Sequence, residues 1–155
     1  MLKVNRSMIL MFLFIFLISI TAFVLINSQR EKEIKLTPNN LSLVSLGKKI
    51  YSQNCASCHG IELEGQKNWQ TRNEEGYLPA PPHDETGHTW HHSDEYLFLM
   101  TKLGIEKLIG KKYLNNMPAY EEILSDKEII AVLSFIKSTW SDRIKDIQDK
   151  INLNN

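Results

Sequence analysis

The longest uninterrupted apolar run in the chain lies at its N-terminal end. Met8 to Ile26 holds no charge, proline or glycine, and only Ser19 and Thr21 interrupt it. A helix of about 19 residues spans roughly 28 Å, close to the hydrocarbon thickness of a bilayer. A single N-terminal transmembrane helix is therefore expected. Residues 1–27 read as a signal anchor, because the run is long for a cleaved signal and no convincing A-x-A-like cleavage site follows it. Lys3 and Arg6 precede the span, while Arg30, Lys32 and Lys35 follow it, so flanking charge alone does not orient the chain.

Beyond the span the pattern changes. Residues 28–41 are polar and mixed in charge, with Thr37-Pro38-Asn39-Asn40 breaking any helix, and read as a linker. Leu43, Leu46, Ile50 and Tyr51 recur at three- and four-residue spacing, which predicts a helix from near Ser42 to Asn54. Gly60 to His92, with Pro79, Pro81 and Pro82, reads as loop, with a helical turn at most over Gln66 to Arg72. Ser93-Asp94-Glu95 has the form of an N-cap and acidic first turn, opening a helix through Leu103 that Gly104 stops. A short helix is expected within Ile105 to Tyr113. Ser125 with Glu128 fits a capping box, and Ile129, Val132, Leu133 and Ile136 mark a helix running to about Trp140. Residues 141–155 read as a polar tail that extends this helix or frays. No stretch alternates as a strand does, so the domain, placed at 42–140, is expected to be all-α. Roughly 100 residues in short helices make a thin core, which a large buried apolar cofactor would fill.

Charge changes this picture little. Lysine plus arginine and aspartate plus glutamate stand at 18 each, so no nucleic-acid partner is expected. Lys48, Lys49, Lys107, Lys111 and Lys112 are either a basic docking face or ordinary solvated surface. The cysteines change it more. The only two, Cys55 and Cys58, are too close in sequence to stabilise the fold much as a disulfide. Cys55-Ala56-Ser57-Cys58-His59 is a C-x-x-C-H, the attachment sequence of c-type haem. Two thiols one turn apart can each add to one vinyl group of a single haem, and the following imidazole falls beneath the iron. Two rival readings are a redox-active dithiol, whose βαβ context is missing, and a zinc site with His83 and His88. The zinc reading suffers from a gap after Cys58 about twice that of a usual finger.

Gly47, Tyr51, Cys55, Cys58, His59 and Gly60 resemble the G-x-x-x-Y-x-x-x-C-x-x-C-H-G of the class I cytochromes c, specifically the small membrane-anchored bacterial ones. Asn116-Met117-Pro118-Ala119-Tyr120 resembles their M-P-x-aromatic motif, and Leu124-Ser125-Asp126 with Phe135 resembles their last helix. The resemblance covers about Leu43 to Trp140. It implies a class I cytochrome c fold around one covalently bound haem c, attached through Cys55 and Cys58. His59 and Met117 would be the axial iron ligands. It also implies a carbonyl of Pro81 or Pro82 on the His59 ring N–H, and close helix packing at Gly47 near Phe135. A thioether is a soft ligand and Pro118 stiffens its loop, whereas Met100 lies on a helix face that should pack inward. The family attaches haem at the outer face of the bacterial cytoplasmic membrane, so the haem domain is expected to face the periplasm.

The function so implied is a tethered one-electron carrier of a bacterial respiratory chain, with transient redox partners and no enzymatic reaction. The alternatives are a fixed haem subunit of a membrane oxidoreductase complex, or a haem peroxidase or sensor. His83, His88, His91 and His92 beside Trp90 leave several roles open. They are a copper or zinc site, a distal histidine replacing Met117, or a loop along the haem edge where Trp90 and one histidine bond the propionates.

Overall fold

The computed structural model describes residues 5–28 and 33–154. The flanking charges Lys3, Arg30 and Lys32 lie outside the described residues. Two units are separate in their contacts, 1–33 and Ile34–Asn155. The first holds helix α1, Arg6–Ser28, of 23 residues. Its side chains are described for 7–23, and all the large hydrophobics among them are exposed. Ser19 donates to the Phe16 carbonyl at 2.8 Å and Thr21 to the Ile18 carbonyl at 2.9 Å, so both hydroxyls are satisfied within the helix itself. By length and hydropathy over the described residues alone, no helix is long and apolar enough to cross a membrane.

The second unit is helical, with no strand among its described residues: α2 (Leu41–Asn54), α3 (Ala56–His59), α4 (Asp94–Leu103), α5 (Ile105–Ile109), α6 (Asp126–Ser138) and α7 (Asp142–Asn152). Three of the starts have a local cause in a capping side chain. Asn40 caps α2 by accepting from the Leu43 N–H at 3.2 Å, and Ser93 caps α4 by accepting from the Tyr96 N–H at 3.3 Å. At α6 the Glu128 carboxylate takes the Ser125 N–H at 2.8 Å and its hydroxyl at 2.6 Å. Gly104 ends α4 as expected, and left-handed Gly110 stops α5 short of Tyr113. The helical turn allowed over Gln66 to Arg72 does not form a helix.

The core is the seam between α2 and α6, the largest helix–helix contact in the unit. Ile50 and Tyr51 of α2 meet Ile129, Val132, Leu133 and Ile136 of α6, with Leu97 and Phe98 of α4 closing one side. Gly47 lets the two backbones approach: a Cβ there would fall on the Ala131 carbonyl and lie 2.9 Å from the Phe135 Cβ.

Two expected boundaries move. The linker of 28–41 was read from its polarity, but its second half belongs to the domain. Leu36 is buried, its N–H donates to Asp94 Oδ2 at 2.8 Å, and the Thr37 N–H donates to Ser134 Oγ at 3.0 Å. The polar tail of 141–155 is mostly α7. Ile144 and Gln148 are buried there, and Gln148 Nε2 donates to Asp94 Oδ1 at 2.6 Å and to the His92 carbonyl at 3.1 Å. Lys137 Nζ, on α6, pairs with Asp149 of α7 at 2.5 Å and with Asp94 at 3.7 Å. Asp94 thus joins the entering strand of chain, α4, α6 and α7 at one buried carboxylate.

Candidate cofactor site

Cys55 closes α2 and begins the single turn of α3, where its carbonyl accepts from the Cys58 N–H at 3.1 Å and the His59 N–H at 2.9 Å. Positions i, i+3 and i+4 of a helical turn share a face. Cys55, Cys58 and His59 are therefore brought together on one side by the turn itself. The turn is pinned at its far end: Tyr51 donates its hydroxyl to the Gly60 carbonyl at 2.8 Å, and the Gly65 N–H donates to the His59 carbonyl at 2.8 Å. Tyr51 was expected only to pack; its hydroxyl also anchors the site.

Neither cysteine is in a disulfide. Burial, and secondarily the neighbouring Cys58, pushes the Cys55 thiol up to about 11. His59 is buried, and burial lowers its pKa against the opposing bond to Pro81. Its Nδ1 lies 2.8 Å from the Pro81 carbonyl. A carbonyl only accepts, so Nδ1 carries the proton and Nε2 keeps its lone pair. Of the two prolines the sequence left open, Pro81 is the one.

The proline-rich loop reaches this position because it is stitched to the segment after α3. The Gln66 N–H donates to the Ala80 carbonyl at 2.8 Å, the Ala80 N–H to Gln66 Oε1 at 2.9 Å, and the His83 N–H to the Leu63 carbonyl at 2.7 Å. Gly65, at φ +67°, makes room: a Cβ there would lie 2.6 Å from the Pro81 carbonyl carbon.

The histidines separate into two groups. The His83 ring stacks on His59, centroids 4.0 Å apart and planes 22° from parallel, and its Nδ1 pairs with Thr89 Oγ1 at 2.8 Å. Burial and the nearby His59 and His88 hold its pKa well below the ordinary value. Nothing in the sequence pattern signalled this stack. His88 lies over Trp69 at 5.3 Å and edge-on to His92 at 5.6 Å, while His92 stacks on Tyr96 at 4.5 Å. No three of the described histidines, cysteines and acids are grouped as a metal ion requires, which removes the geometric basis for the copper and zinc readings. The Trp90 indole N–H is already donated to the Glu85 carbonyl at 3.2 Å, so the edge role suggested for it loses its free donor.

Met117 lies in the loop after α5, with its N–H bonded to Asn115 Oδ1 at 3.0 Å and 37% of its surface exposed. It lines an open cavity of about 890 Å³ with Leu103, Ile105, Lys111, Lys112 and Ala119. Cys55, Cys58 and His59 do not line that cavity. The two parts are linked through Tyr120, whose hydroxyl donates to the Asn54 carbonyl at 2.8 Å and whose N–H donates to the Thr101 carbonyl at 3.1 Å. Burial, with Cys55 and Cys58 close by, raises the Tyr120 phenol to about 12. Tyr120 therefore ties the methionine loop beside the thiols. Its place after Met117-Pro118-Ala119 was visible in the motif, and its hydrogen bond was not.

A helical shell with two cysteines and a tautomer-fixed imidazole on one turn suits a protein that holds haem through paired sulfurs. The family model described as cytochrome c matches residues 44–140, most of the chain, and the chain belongs to the cytochrome c family. Its cofactor is accordingly covalently attached haem c, and its family function is electron transfer. No curated protein and no solved structure matches the chain.

Proposed function

We propose that the chain is a membrane-tethered monohaem cytochrome c that carries single electrons in a bacterial respiratory chain. Cys55 and Cys58 would hold the haem through their sulfurs, and His59 Nε2 and the Met117 sulfur would be the protein ligands to its iron. The observation that carries this reading is the His59–Pro81 hydrogen bond of 2.8 Å. It fixes the tautomer that leaves Nε2 for a metal and orients the ring, as partners of metal-bound histidines do. When bound, the haem supplies a one-electron iron couple, and a His/Met pair sets that couple high, which suits delivery to an oxidase.

The chain's own contribution is to hold the ligands still. The turn through Cys55 to His59 is fixed by Tyr51 and Gly65, and the loop bearing Met117 is fixed through Tyr120. For the tether, α1 supports the reading. Its 23 residues would extend about 34 Å, its described apolar side chains are exposed, and its two internal hydroxyls bond to its own carbonyls, which suits a solvent without hydrogen-bonding partners. A tether confines the domain to the membrane surface and raises its effective concentration toward membrane-bound partners. The domain would face the periplasm, where paired thiols receive haem.

The ligand assignment is tested by the absorption spectrum of the oxidised protein. A weak long-wavelength sulfur-to-iron band should be present and should disappear in Met117→Ala. High-spin iron in the unmutated protein would overturn the His/Met assignment and favour the peroxidase or sensor alternative. The tether is tested by washing membranes from expressing cells with alkaline carbonate: retention of the cytochrome is expected, and release refutes an α1 span.

A further inference from the structure

One hydrogen bond fixes one direction of an imidazole. The Pro81 carbonyl sets where the His59 Nδ1–H points, but rotation of the ring about that N–H···O axis is left to whatever packs its faces. His83 packs one of them, with ring centroids 4.0 Å apart and planes 22° from parallel. Its own position is heavily determined. The backbone is held on both sides, with its N–H on the Leu63 carbonyl at 2.7 Å and its carbonyl taking the Trp140 indole N–H at 2.8 Å. The ring is held by Thr89 Oγ1 at 2.8 Å, and Tyr51 stands edge-on at 6.4 Å. Thr89 is itself buried, at the head of a single 3-10 turn, Thr89–His91, just after a close approach to Pro82 that leaves no room for a Cβ at Gly87.

We propose that His83 is a positioning residue for His59: its flat face, locked by Thr89 from the far side, fixes the plane in which His59 presents Nε2 to the iron. The proposal rests on the reading of His59 as the haem ligand. The imidazole combines two features that no other ring side chain combines at this size, a face to stack and a nitrogen at the right place for the Thr89 hydroxyl. Phenylalanine would keep the face and lose the lock; alanine would lose both; Thr89→Val would lose the lock without touching His59.

The plane of an axial imidazole governs how unpaired spin is distributed over the porphyrin, so it is read in the ferric state by the pattern of haem-methyl proton shifts and by the spread of EPR g values. On full-length haem-loaded protein, His83→Ala is expected to redistribute the methyl shifts, change the g spread and shift the reduction potential. His83→Phe is expected to restore the unmutated methyl order. A His83→Ala protein with unchanged shifts and g values overturns the proposal, as does a His83→Phe protein altered as much as the alanine variant. If His83→Ala does not load haem, Thr89→Val decides: methyl shifts and g values that differ from the unmutated protein's support the lock, and an unchanged pattern overturns it. An unmutated protein that lacks covalent haem or is high-spin would refute the ligand assignment instead, so the two failures are distinguishable.

Discussion

Lys137 offers the sharpest test of the domain boundaries. Its side chain is 3% exposed and its ammonium lies between the Asp94 carboxylate, 5% exposed, and Asp149, 59% exposed. Lys137→Met keeps the length of the side chain and removes the charge. Asp149 simply returns to water, so its loss contributes little. Asp94 cannot, because α7 and the segment at Leu36 cover it. At about 4 Å and an effective dielectric of about 20, the attraction it loses is about 4 kcal/mol, and orphaning one partner of a buried pair costs about 3–5 kcal/mol. Asp94 still accepts from Gln148 Nε2 and the Leu36 N–H, which places the expected loss near the lower end, about 3 kcal/mol. For a unit of this size that is roughly a 12 °C fall in melting temperature. Urea unfolding of the haem-loaded variant, followed by far-ultraviolet circular dichroism, measures it. Adding Asp94→Asn to Lys137→Met should recover part of the loss, since the buried charge is then gone. A loss below about 1 kcal/mol would mean water reaches Asp94, and the argument that α7 and residues 34–37 are integral to the domain would fail with it.

Two further outcomes follow from the helix seam and the α6 cap. Gly47→Ala should destabilise the fold although alanine is the better helix former by about 1 kcal/mol. The added methyl meets the Ala131 carbonyl, which is backbone and cannot swing away; overpacking of about 1–3 kcal/mol at its upper end wins, and a raised urea midpoint would refute the close approach. The Glu128 carboxyl is held below its ordinary 4.5 by the Ser125 hydroxyl first and the Ser125 N–H second. A depressed folded pKa stabilises above the unfolded value and the benefit is lost as pH falls through the folded one. The melting temperature of the unmutated protein should therefore exceed that of Glu128→Gln at pH 7, with the gap closing below about pH 4.5; a gap independent of pH would show that the charge does not matter.

What the sequence made legible was local. The haem-attachment turn, the caps at Ser93 and Ser125, the stop at Gly104 and the bare face of Gly47 each depend on residues within a few positions of one another. The packing of the tail was missed for a reason that is itself local. Five aspartates, lysines and arginines in Asp142 to Asp149 overshadow a stripe of Ile144, Ile147 and Ile151 at helical spacing, and that stripe was there to be found. Gln148 was not. A fully buried glutamine is intelligible only once Asp94, 54 residues earlier, supplies its acceptor, and no periodicity reports a partner that distant. The same holds for Leu36 on Asp94 and for His83 on His59.

The long loop between α3 and α4 gains its meaning from that last contact. Read alone, Gly60 to His92 is a polar, helix-free stretch in a small domain, a costly thing to order. Its prolines reduce the cost, since they restrict the unfolded chain before folding begins. Pro82 also excludes the helical region for Pro81, so the Pro81 carbonyl is aimed by covalent geometry and not by packing alone. The segment Leu63 to Gln66 then clamps Ala80 to His83 against the turn that carries Cys55, Cys58 and His59. The loop therefore delivers two groups to one imidazole, a carbonyl to its edge and a ring to its face. An imidazole held from both directions has little freedom to reorient, and a site whose supporting residues are themselves locked is what precise positioning requires. On this argument the irregular third of the domain, and not its helical core, is what adapts a small helical scaffold to carrying electrons.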